Sequence, residues 1–480
     1  MLRHKNTQII SELKNYFNSD EKTVQTLLTE LSFLKISNHL FDGIDKVNTK
    51  YKGKQKLILL LLFPIFAVKD ISFYLYSPLY QLYKCGKDVF YEFLNHPFFN
   101  WRKLSFKINK QLISKLEQSS FSEKEPVRCL IADDTDLPKK GRCFELLSRI
   151  YSHVSHTYNY GFKGLFLGYH DGKSFFGLDF SLHGEKGKEK TKPYGLTKKQ
   201  SKSRFNKQRA AKSHGQNRVN EYFETKTSML ISMIRRAIAE GIRFDYLLTD
   251  SWFTNFELIK FIVTRRIGCF FLGMVKNGKT KYLFNNKELT FSEILNILKH
   301  SKKATYNKKL NAKFYEEIVD LKGVKIKLFF CRMGKKGKWN GLLTTNVKLS
   351  FAQAFEIYAT RWTIEVFFKE CKQFLRLGKC ESLHFDAQIA ATTLCMLQYD
   401  LLALVKRFES YESFGGLFRV TKSQTLELTI KERIWLIIKE ILTQLMEYMN
   451  VEVDFLLDHI FADNEKLINL INLKPLVRAG

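Results

Sequence analysis

The clearest pattern along the chain lies in residues 358–375, where apolar and polar positions recur at helical spacing. The apolar positions are Ile364, Phe367, Phe368, Cys371, Phe374 and Leu375. The polar positions Tyr358, Arg361, Glu365 and Lys372 fall within about 60° of arc on a helix that turns about 100° per residue. This spacing predicts one helix that packs by its apolar face and displays a carboxylate beside two cations and a phenol.

Regions of different pattern follow one another along the rest of the chain. Residues 1–125 have mostly helical spacing, and residues 276–345 are rich in lysine and contain two predicted strands. Residues 126–275 give the order strand, strand, strand, helix, strand, helix, strand, with the first strand predicted at 127–132 and the first helix at 217–240, and the helix described above follows in 346–380. The last region, 381–480, has helical spacing again. This order predicts an α/β fold with a mixed sheet core, a β-rich insertion and helical terminal regions.

The N-terminal region contains a candidate DNA-binding motif. Two apolar segments, 72–83 and 88–94, are separated by Cys85-Gly86-Lys87, and Asp88 is a suitable N-cap for the second segment. A helix, a short turn with glycine and a second helix fit a helix-turn-helix. They fit an ordinary helical bundle equally well.

Composition points to a polyanionic partner. The formal net charge is +30 and the isoelectric point about 9.6, and a surplus of this size favours nucleic acid, although a basic protein with no such partner is the alternative. Two segments, 181–220 and 301–340, each carry 12 Lys or Arg against 2 and 3 Asp or Glu. Lys198, Lys199, Arg204 and Arg209 lie in the first segment. We expect them to follow a DNA backbone, with a solvated loop as the alternative.

Cysteine spacing and the apolar runs bear on localisation. Eight cysteines are scattered without a Cys-x-x-Cys pair, which predicts reduced, buried thiols in a cytoplasmic protein. The N-terminus has no signal-peptide pattern. The most apolar run, 57–68, is too short to span a bilayer and predicts a buried core helix instead.

Three acidic residues have the positions that metal chemistry requires. Asp134 and Asp250 each end a predicted strand, and Glu365 lies on the helix. Carboxylates at the carboxyl ends of strands converge at one edge of an α/β sheet, where three of them can hold two Mg²⁺ ions. The alternative is that the aspartates form turns and that Glu365 pairs with Lys369 on a helix surface.

The spacing Tyr-x2-Arg-x3-Glu-x6-Lys, formed by Tyr358, Arg361, Glu365 and Lys372, resembles the signature of DDE-type cut-and-paste insertion-sequence transposases, in particular the insertion-sequence-four group. The segment 131–141, with sequence IADDTDLPKKG, is similar to the family's first-aspartate segment. The segment 246–253, with sequence YLLTDSWF, is similar to its second. The resemblance covers roughly residues 127–400.

The resemblance implies a ribonuclease-H-like core with a β-rich insertion between the second aspartate and the glutamate. It implies that Asp134, Asp250 and Glu365 are the catalytic ligands of two Mg²⁺ ions, for which Mn²⁺ can substitute. Asp133 is the rival for the first position, and strand alternation does not decide between the two.

The resemblance also implies roles at the DNA. Arg361 and Lys372 would contact phosphates near the cleavage point, and Tyr358 would position the terminal nucleotide. Trp339, in the insertion, would stack on a flipped base, with a half-buried strand tryptophan as the alternative.

These expectations describe a DNA transposase that cleaves transposon ends and transfers strands into target DNA. The N-terminal helices would bind the terminal inverted repeats, and synapsis of two ends implies a homodimer. The C-terminal helices would pack on the core or dimerise. We expect a bacterial cytoplasmic protein associated with the nucleoid, without a membrane. The alternatives are a metal-dependent nuclease of the same fold and an inactive DNA-binding repressor.

Overall fold

The computed structural model describes residues 22–408 apart from a few short gaps, all within one compact unit, Met1–Thr421. The gaps are 46–48, 65, 67, 69, 78, 81–82, 120–125, 154, 188, 265–267, 277 and 335–336. Residues 1–21 of the region predicted to be helical, 1–125, and residues 409–480 of the region 381–480 lie outside the described residues.

The helices and strands of the described chain have the following bounds. The helices are α1 (Lys22–Phe33), α2 (Gly53–Leu62), α3 (Lys87–Leu94), α4 (Trp101–Ser119), α5 (Lys198–Lys202), α6 (His214–Phe223), α7 (Lys226–Ala239), α8 (Phe256–Thr264), α9 (Phe291–Ser301), α10 (Phe351–Ala359), α11 (Trp362–Phe374) and α12 (Phe385–Phe408). The strands are β1 (Cys129–Pro138), β2 (Ser148–Ser152), β3 (Thr157–His170), β4 (Phe175–His183), β5 (Tyr246–Thr249), β6 (Phe270–Met274), β7 (Lys281–Phe284), β8 (Lys287–Thr290), β9 (Thr305–Asn307), β10 (Ala312–Leu321), β11 (Val324–Met333) and β12 (Trp339–Thr344). Short 3₁₀ helices occupy Asn38–Leu40, Ile71–Tyr76 and Pro193–Gly195.

The centre of the sheet has ribonuclease-H-like topology. The spatial order is β4-β3-β1-β5-β6. β1 runs antiparallel to β3 and β3 antiparallel to β4, whereas β5 is parallel to both β1 and β6. The parallel strands are buried on both faces, which is why their sequences are continuous apolar runs. The predicted mixed α/β fold with a ribonuclease-H-like core is confirmed.

The insertion is part of the same sheet. β12 pairs antiparallel with β6, and the order continues through β11, β10, β7 and β8, with β9 paired to β10. Two of these strands, β11 and β12, are the ones predicted from sequence.

Long helices cover the core strands. α12 packs against β4 and α4, and its side chains are largely buried. Within the described residues, one helix, Phe385–Arg407, is long and apolar enough to cross a membrane, yet 94% of it is buried inside the protein. A helix of this kind also serves as the core helix of a globular domain.

Several predicted boundaries are wrong. The segment 217–240, predicted as one helix, is the pair α6 and α7. β1, predicted to end at residue 132, continues through the aspartates to Pro138 because it pairs with β3 along its whole length. In the predicted helix-turn-helix, the first element begins as the 3₁₀ helix Ile71–Tyr76, and α3 follows.

Candidate active site

Strand register brings two of the predicted carboxylates together. β1 and β5 run parallel with Ala132 opposite Thr249, so the next residues, Asp133 and Asp250, are neighbours at the end of β5. Backbone N–H groups of Trp252 and Phe253 donate to Asp250 Oδ1 at 3.0 and 3.1 Å. These bonds fix the carboxylate of Asp250 in the turn that follows the strand.

The side chains of Tyr358, Arg361 and Lys372 reach the middle of β1 or the end of β5. The Tyr358 hydroxyl donates to the Thr249 carbonyl at 3.2 Å, and Lys372 Nζ donates to Thr135 Oγ1 at 2.6 Å. The Arg361 guanidinium donates to Asp133 Oδ2 at 2.9 Å and to Glu365 Oε1 at 2.6 Å. Arg361 therefore bridges the aspartate of β1 and the glutamate of α11.

The prediction of a single helix over 358–372 is wrong. α10 ends at Ala359 and α11 begins at Trp362. Both residues between them keep helical φ and ψ, and the Arg361 N–H donates to the Tyr358 carbonyl at 3.0 Å, a bond of three-residue span. The chain therefore tightens by one 3₁₀ turn, and the polar residues stay on one side. The predicted apolar stripe is buried at Ile364, Phe367, Phe368, Cys371 and Leu375.

Asp134 lies on the opposite face of β1 from Asp133 and pairs with a different cation. Successive side chains of a strand point to opposite faces, so Asp133 and Thr135 face α10 and α11 while Asp134 faces α7. The Asp134 carboxylate forms an ion pair with Lys226, the first residue of α7. Arg361 thus links Asp133 to Glu365, whereas Asp134 forms an ion pair with Lys226.

Burial is the main cause of the pKa shifts at the site, and neighbouring carboxylates add to it at the two aspartates. Burial, together with the charge of Asp250, raises the pKa of Asp133 to about 7, despite the opposing effect of Arg361. Burial also raises the pKa of Asp250, and the charge of Asp134 adds to this rise. The pKa of Tyr358 is raised to about 12, mainly by burial, so the phenol stays protonated at neutral pH.

The donor set suits a hard divalent cation. Mg²⁺ prefers oxygen ligands, and Asp133 and Asp250 are two half-buried carboxylates that a cation would relieve of mutual repulsion. Glu365 is 35% exposed at its side chain and is held by Arg361. Among the described residues, no three His, Cys, Asp or Glu side chains stand together as a ready metal-ligand group. Glu365 would become a metal ligand if the divalent cation displaced the Arg361 guanidinium from its carboxylate.

The predicted DNA-binding loop contains two kinds of cationic side chain, those exposed to solvent and those hydrogen-bonded within the protein. Lys198 and Lys199 are exposed on α5. Arg204, by contrast, donates to the backbone carbonyls of Leu147 and Ser201.

Arg209, a predicted DNA contact, is buried in ion pairs within the protein. Its side chain is 1% exposed, and its guanidinium is paired with Glu145 at 2.6 Å and with Asp386 at 3.0 Å. A phosphate would reach it only by breaking both buried pairs.

Trp339 lies within the insertion sheet. Its indole stacks on Tyr315 with ring centroids 5.3 Å apart, and Arg332 and Lys299 lie over the ring at 5.4 and 5.7 Å. Its assignment to a flipped base is untested, but the ring already has partners.

Sequence reasoning missed three residues beside the carboxylates. Lys226 pairs with Asp134, and Trp252 and Trp362 are 51% and 61% exposed. A signal was available for the tryptophans, because each lies one or two residues from a predicted site residue, Arg361 or Asp250. A large exposed aromatic ring next to a predicted site residue is a candidate binding surface, whereas single apolar residues scattered over a protein surface need no such explanation.

The chain matches two described families and is similar to a solved structure. No curated protein matches it. Among solved structures, it is similar to a piggyBac transposase in a synaptic complex with hairpin DNA, at 14% identity and a TM-score of 0.41, with 90% of this chain and 83% of that chain covered. The family described as DDE superfamily endonuclease matches residues 79–277, and the family described as transposase DDE domain matches residues 180–401. These two family matches, which include the three site segments, support a DDE transposase.

Proposed function

We propose that the protein is a DNA transposase of the polynucleotidyl-transferase type, which cleaves transposon ends and joins them to target DNA. The observation that carries the proposal is that Arg361 bridges Asp133 and Glu365 next to Asp250, where the end of β5 meets the middle of β1 in a ribonuclease-H-like sheet. The family matches support the same class of reaction.

The carboxylates would hold the catalytic metal, two Mg²⁺ ions or their Mn²⁺ substitutes. When bound, such ions activate the attacking oxygen and stabilise the leaving oxygen of a phosphodiester. Asp250 and Glu365 are two of the proposed ligands. For the first ligand we favour Asp133 over Asp134, because Asp133 shares a guanidinium with Glu365 while Asp134 is paired with Lys226.

The cations and the phenol on α10 and α11 would orient the DNA. The Arg361 guanidinium, if released from the carboxylates, presents a planar fork of donors that matches a phosphate. Lys372 Nζ lies at Thr135 Oγ1, one strand position beyond the aspartates, where a neighbouring phosphate would pass. The protonated Tyr358 hydroxyl would hold the terminal nucleotide by a hydrogen bond.

The DNA partner is supported by the net charge of +30 and by the exposed lysines of α5. Binding of the terminal inverted repeats by residues 1–125, a homodimer in the synaptic complex and a cytoplasmic, nucleoid-associated location complete the proposal.

A strand-transfer assay tests the function. Labelled DNA that carries the sequence flanking the coding region is incubated with the protein, Mg²⁺ and a target plasmid. We expect cut ends and joined products. Asp250→Asn and Glu365→Gln should each lower the rates of cleavage and of joining about 100-fold or more, because the metal's stabilisation of the transition state, several kcal/mol, is lost. Glu356→Gln, which alters an exposed carboxylate 54% accessible on α10, is the matched control.

Two outcomes would contradict this assignment. Cut ends that never join the plasmid would favour an endonuclease, a possibility that the first family description favours. Binding without cleavage, unchanged by Glu365→Gln, would favour a DNA-binding repressor.

The first ligand is tested by a second pair of variants. We expect Asp133→Asn to abolish cleavage and Asp134→Asn to retain more of it. The reverse order would assign the position to Asp134.

A further inference from the structure

We propose that the β2–β3 ribbon, formed by β2 and residues 157–161 of β3, binds duplex DNA in its major groove about 6–9 base pairs from the cleaved phosphate. The inference rests on the proposed function and deepens it by adding an interaction surface away from the carboxylates. It follows from how the ribbon leaves the sheet, from the side chains on its open face and from its distance to the site.

The β2–β3 ribbon extends beyond the central sheet. β3 pairs with β1 as far as Gly161, which lies opposite Pro138, and the earlier residues of β3 pair with β2. The two strands of such a ribbon lie about 4.8 Å apart, so with their side chains they fit the major groove of B-DNA, about 12 Å wide. The minor groove, about 6 Å wide, is too narrow for them.

One face of the ribbon is open and the other packs on the protein. Directly opposed residues of an antiparallel pair point to the same face, so Arg149 with Tyr160 and Tyr151 with Tyr158 share one face. On the other face Ile150 is fully buried. On the open face Tyr158 is 56% exposed and Arg149 is exposed as well. The ribbon thus presents an arginine and three tyrosines on one side.

The side chains of the open face support one another. The rings of Tyr151 and Tyr158 have centroids 5.0 Å apart, and the Arg149 guanidinium lies over the Tyr158 ring at 4.9 Å. The Arg142 guanidinium lies over the Tyr160 ring at 5.5 Å. Neither guanidinium has a hydrogen-bond or ion-pair partner among the described residues. Both arginines are therefore positioned before a ligand arrives, and their N–H donors remain available for it.

The charge of the ribbon suits a polyanion. Residues 139–160 contain a single acidic residue, Glu145, which is buried in an ion pair with Arg209. Arg142 and Arg149 of the same segment are exposed. A two-fold contact with a second copy of this chain, centred on this face, would set these cations against their own equivalents. DNA offers phosphates instead.

The ribbon is joined to the proposed DNA contacts of α5. Gln200 of α5 donates from Nε2 to the Tyr160 hydroxyl at 3.1 Å. The exposed Lys198 and Lys199 begin the same short helix. A duplex that follows the lysines of α5 therefore meets the open face of the ribbon.

Strand geometry gives the distance from the carboxylates to the ribbon. Asp133 lies opposite Phe166 of β3, and Tyr160 and Thr157 lie six and nine positions before Phe166. At about 3.4 Å per residue the ribbon lies about 20–30 Å from Asp133 along the strand. B-DNA rises about 3.4 Å per base pair, so a duplex that runs from the carboxylates to the ribbon spans about 6–9 base pairs.

Duplexes of graded length test the surface. The cleaved phosphate is first mapped with the wild-type protein, and labelled duplexes of the DNA flanking the coding region are then extended from it by about 4, 8 or 12 base pairs on either side. On one side, the wild type should bind the longest duplex more tightly than the shortest. Arg149→Gln should weaken binding of the longest duplex about 5- to 150-fold, the range for one good base contact, and leave binding of the shortest unchanged.

Lys173→Gln is the matched control. It removes an exposed cation beyond the opposite end of β3 and should change the binding of neither duplex. Thermal unfolding of each variant checks that the fold is retained.

Guanine methylation locates the ribbon on the DNA. Dimethyl sulfate methylates guanine N7, which faces the major groove. The wild type should protect guanines about 6–9 base pairs from the mapped phosphate. The double variant Arg149→Gln with Tyr158→Ser should lose this protection.

The outcomes are distinct. If the wild type cleaves and joins DNA and Arg149→Gln binds every duplex as tightly as the wild type, the role of the ribbon is overturned and the proposed function stands. Guanine protection that persists in the double variant overturns it as well. Altered sedimentation of the DNA-free variant, with unchanged DNA affinity, would make this face a contact between copies instead. If the wild type neither cleaves nor joins DNA, the proposed function fails, and the inference that rests on it fails too.

Discussion

Two clusters of buried charge on the same sheet differ in which sign is in excess. In the cluster around Asp179 of β4, two carboxylates, Asp179 and Glu221, meet three arginines: Arg102, Arg218 and Arg236. Burial would raise the pKa of Asp179, but the arginines outweigh it and lower that pKa to about 2. The pKa of Glu221 is lowered as well, by Arg218 and Arg102 against the effect of burial.

At the candidate active site the balance is reversed. Four carboxylates, Asp133, Asp134, Asp250 and Glu365, lie among three cations, Arg361, Lys226 and Lys372, and Lys372 bonds to a hydroxyl rather than to a carboxylate. Here burial and mutual repulsion prevail, and the pKa values of Asp133 and Asp250 are raised.

The difference separates a structural cluster from a functional one. Both sets of carboxylates are buried or half-buried, so burial alone identifies neither. A cluster that supplies its own counter-charge needs no ligand. A cluster that is short of positive charge is a candidate for binding a cation from outside.

The largest expected effect comes from removing the charge at the centre of the structural cluster. Asp179→Asn leaves three buried guanidinium groups with one carboxylate and should lower the free energy of unfolding by about 3–5 kcal/mol. Urea unfolding measures the change. Asp250→Asn, which relieves repulsion instead, is the matched variant and should change stability little or raise it. Equal destabilisation by Asp179→Asn and Asp250→Asn would contradict the distinction between the two clusters.

A divalent cation should stabilise the protein only through the candidate active site. At a Mg²⁺ concentration 100 times its dissociation constant, the free energy of unfolding should rise by about 2.7 kcal/mol. Thermal or urea unfolding with and without Mg²⁺ measures this rise. Asp250→Asn should lose it, and Glu356→Gln should keep it. A rise that survives in Asp250→Asn would mean that the cation binds elsewhere.

The stability that Asp179 contributes should depend on acid pH with a defined sign. Its folded-state pKa, about 2, is lower than the value of about 3.9 in an unfolded chain. The contribution is therefore fully present above about pH 4 and is lost as pH falls toward 2. The difference in unfolding free energy between wild type and Asp179→Asn should narrow over this window. A difference that stays constant from pH 6 to pH 2.5 would contradict the assignment.

The smallest expected effect concerns cations at the surface. Lys198→Gln and Lys199→Gln should each weaken DNA binding slightly and reduce the slope of log K against log salt by about 1. Arg209→Gln removes the same charge from a buried ion cluster. It should leave the slope unchanged and reduce stability instead. A change of slope in Arg209→Gln would restore it as a DNA contact.

The sequence predicted the parts of this picture that depend on local pattern. Apolar runs with intervening helices predict the central sheet, because parallel strands are buried on both faces. The stripe of Ile364, Phe367 and Phe368 predicts a packed helix face, and all three are buried.

What the sequence could not predict depends on pairing between distant segments. The break between α10 and α11 contains no proline or glycine and keeps helical dihedral angles, so no local signal marks it. The choice between Asp133 and Asp134 requires the face on which each side chain lies, and only the register with β3 and β5 fixes that. Arg209 lies in a lysine-rich segment but pairs with carboxylates 64 and 177 residues away.

The continuity of the sheet has a mechanical consequence. The insertion is joined to the core by main-chain hydrogen bonds from β12 to β6, and β6 is bonded in turn to β5, whose end carries Asp250. A load applied to the insertion is therefore spread along a ladder of bonds as a change in sheet twist, rather than absorbed at a single pivot. A force on the outer strands of the insertion would therefore reach Asp250 through two strand pairs, β12 with β6 and β6 with β5.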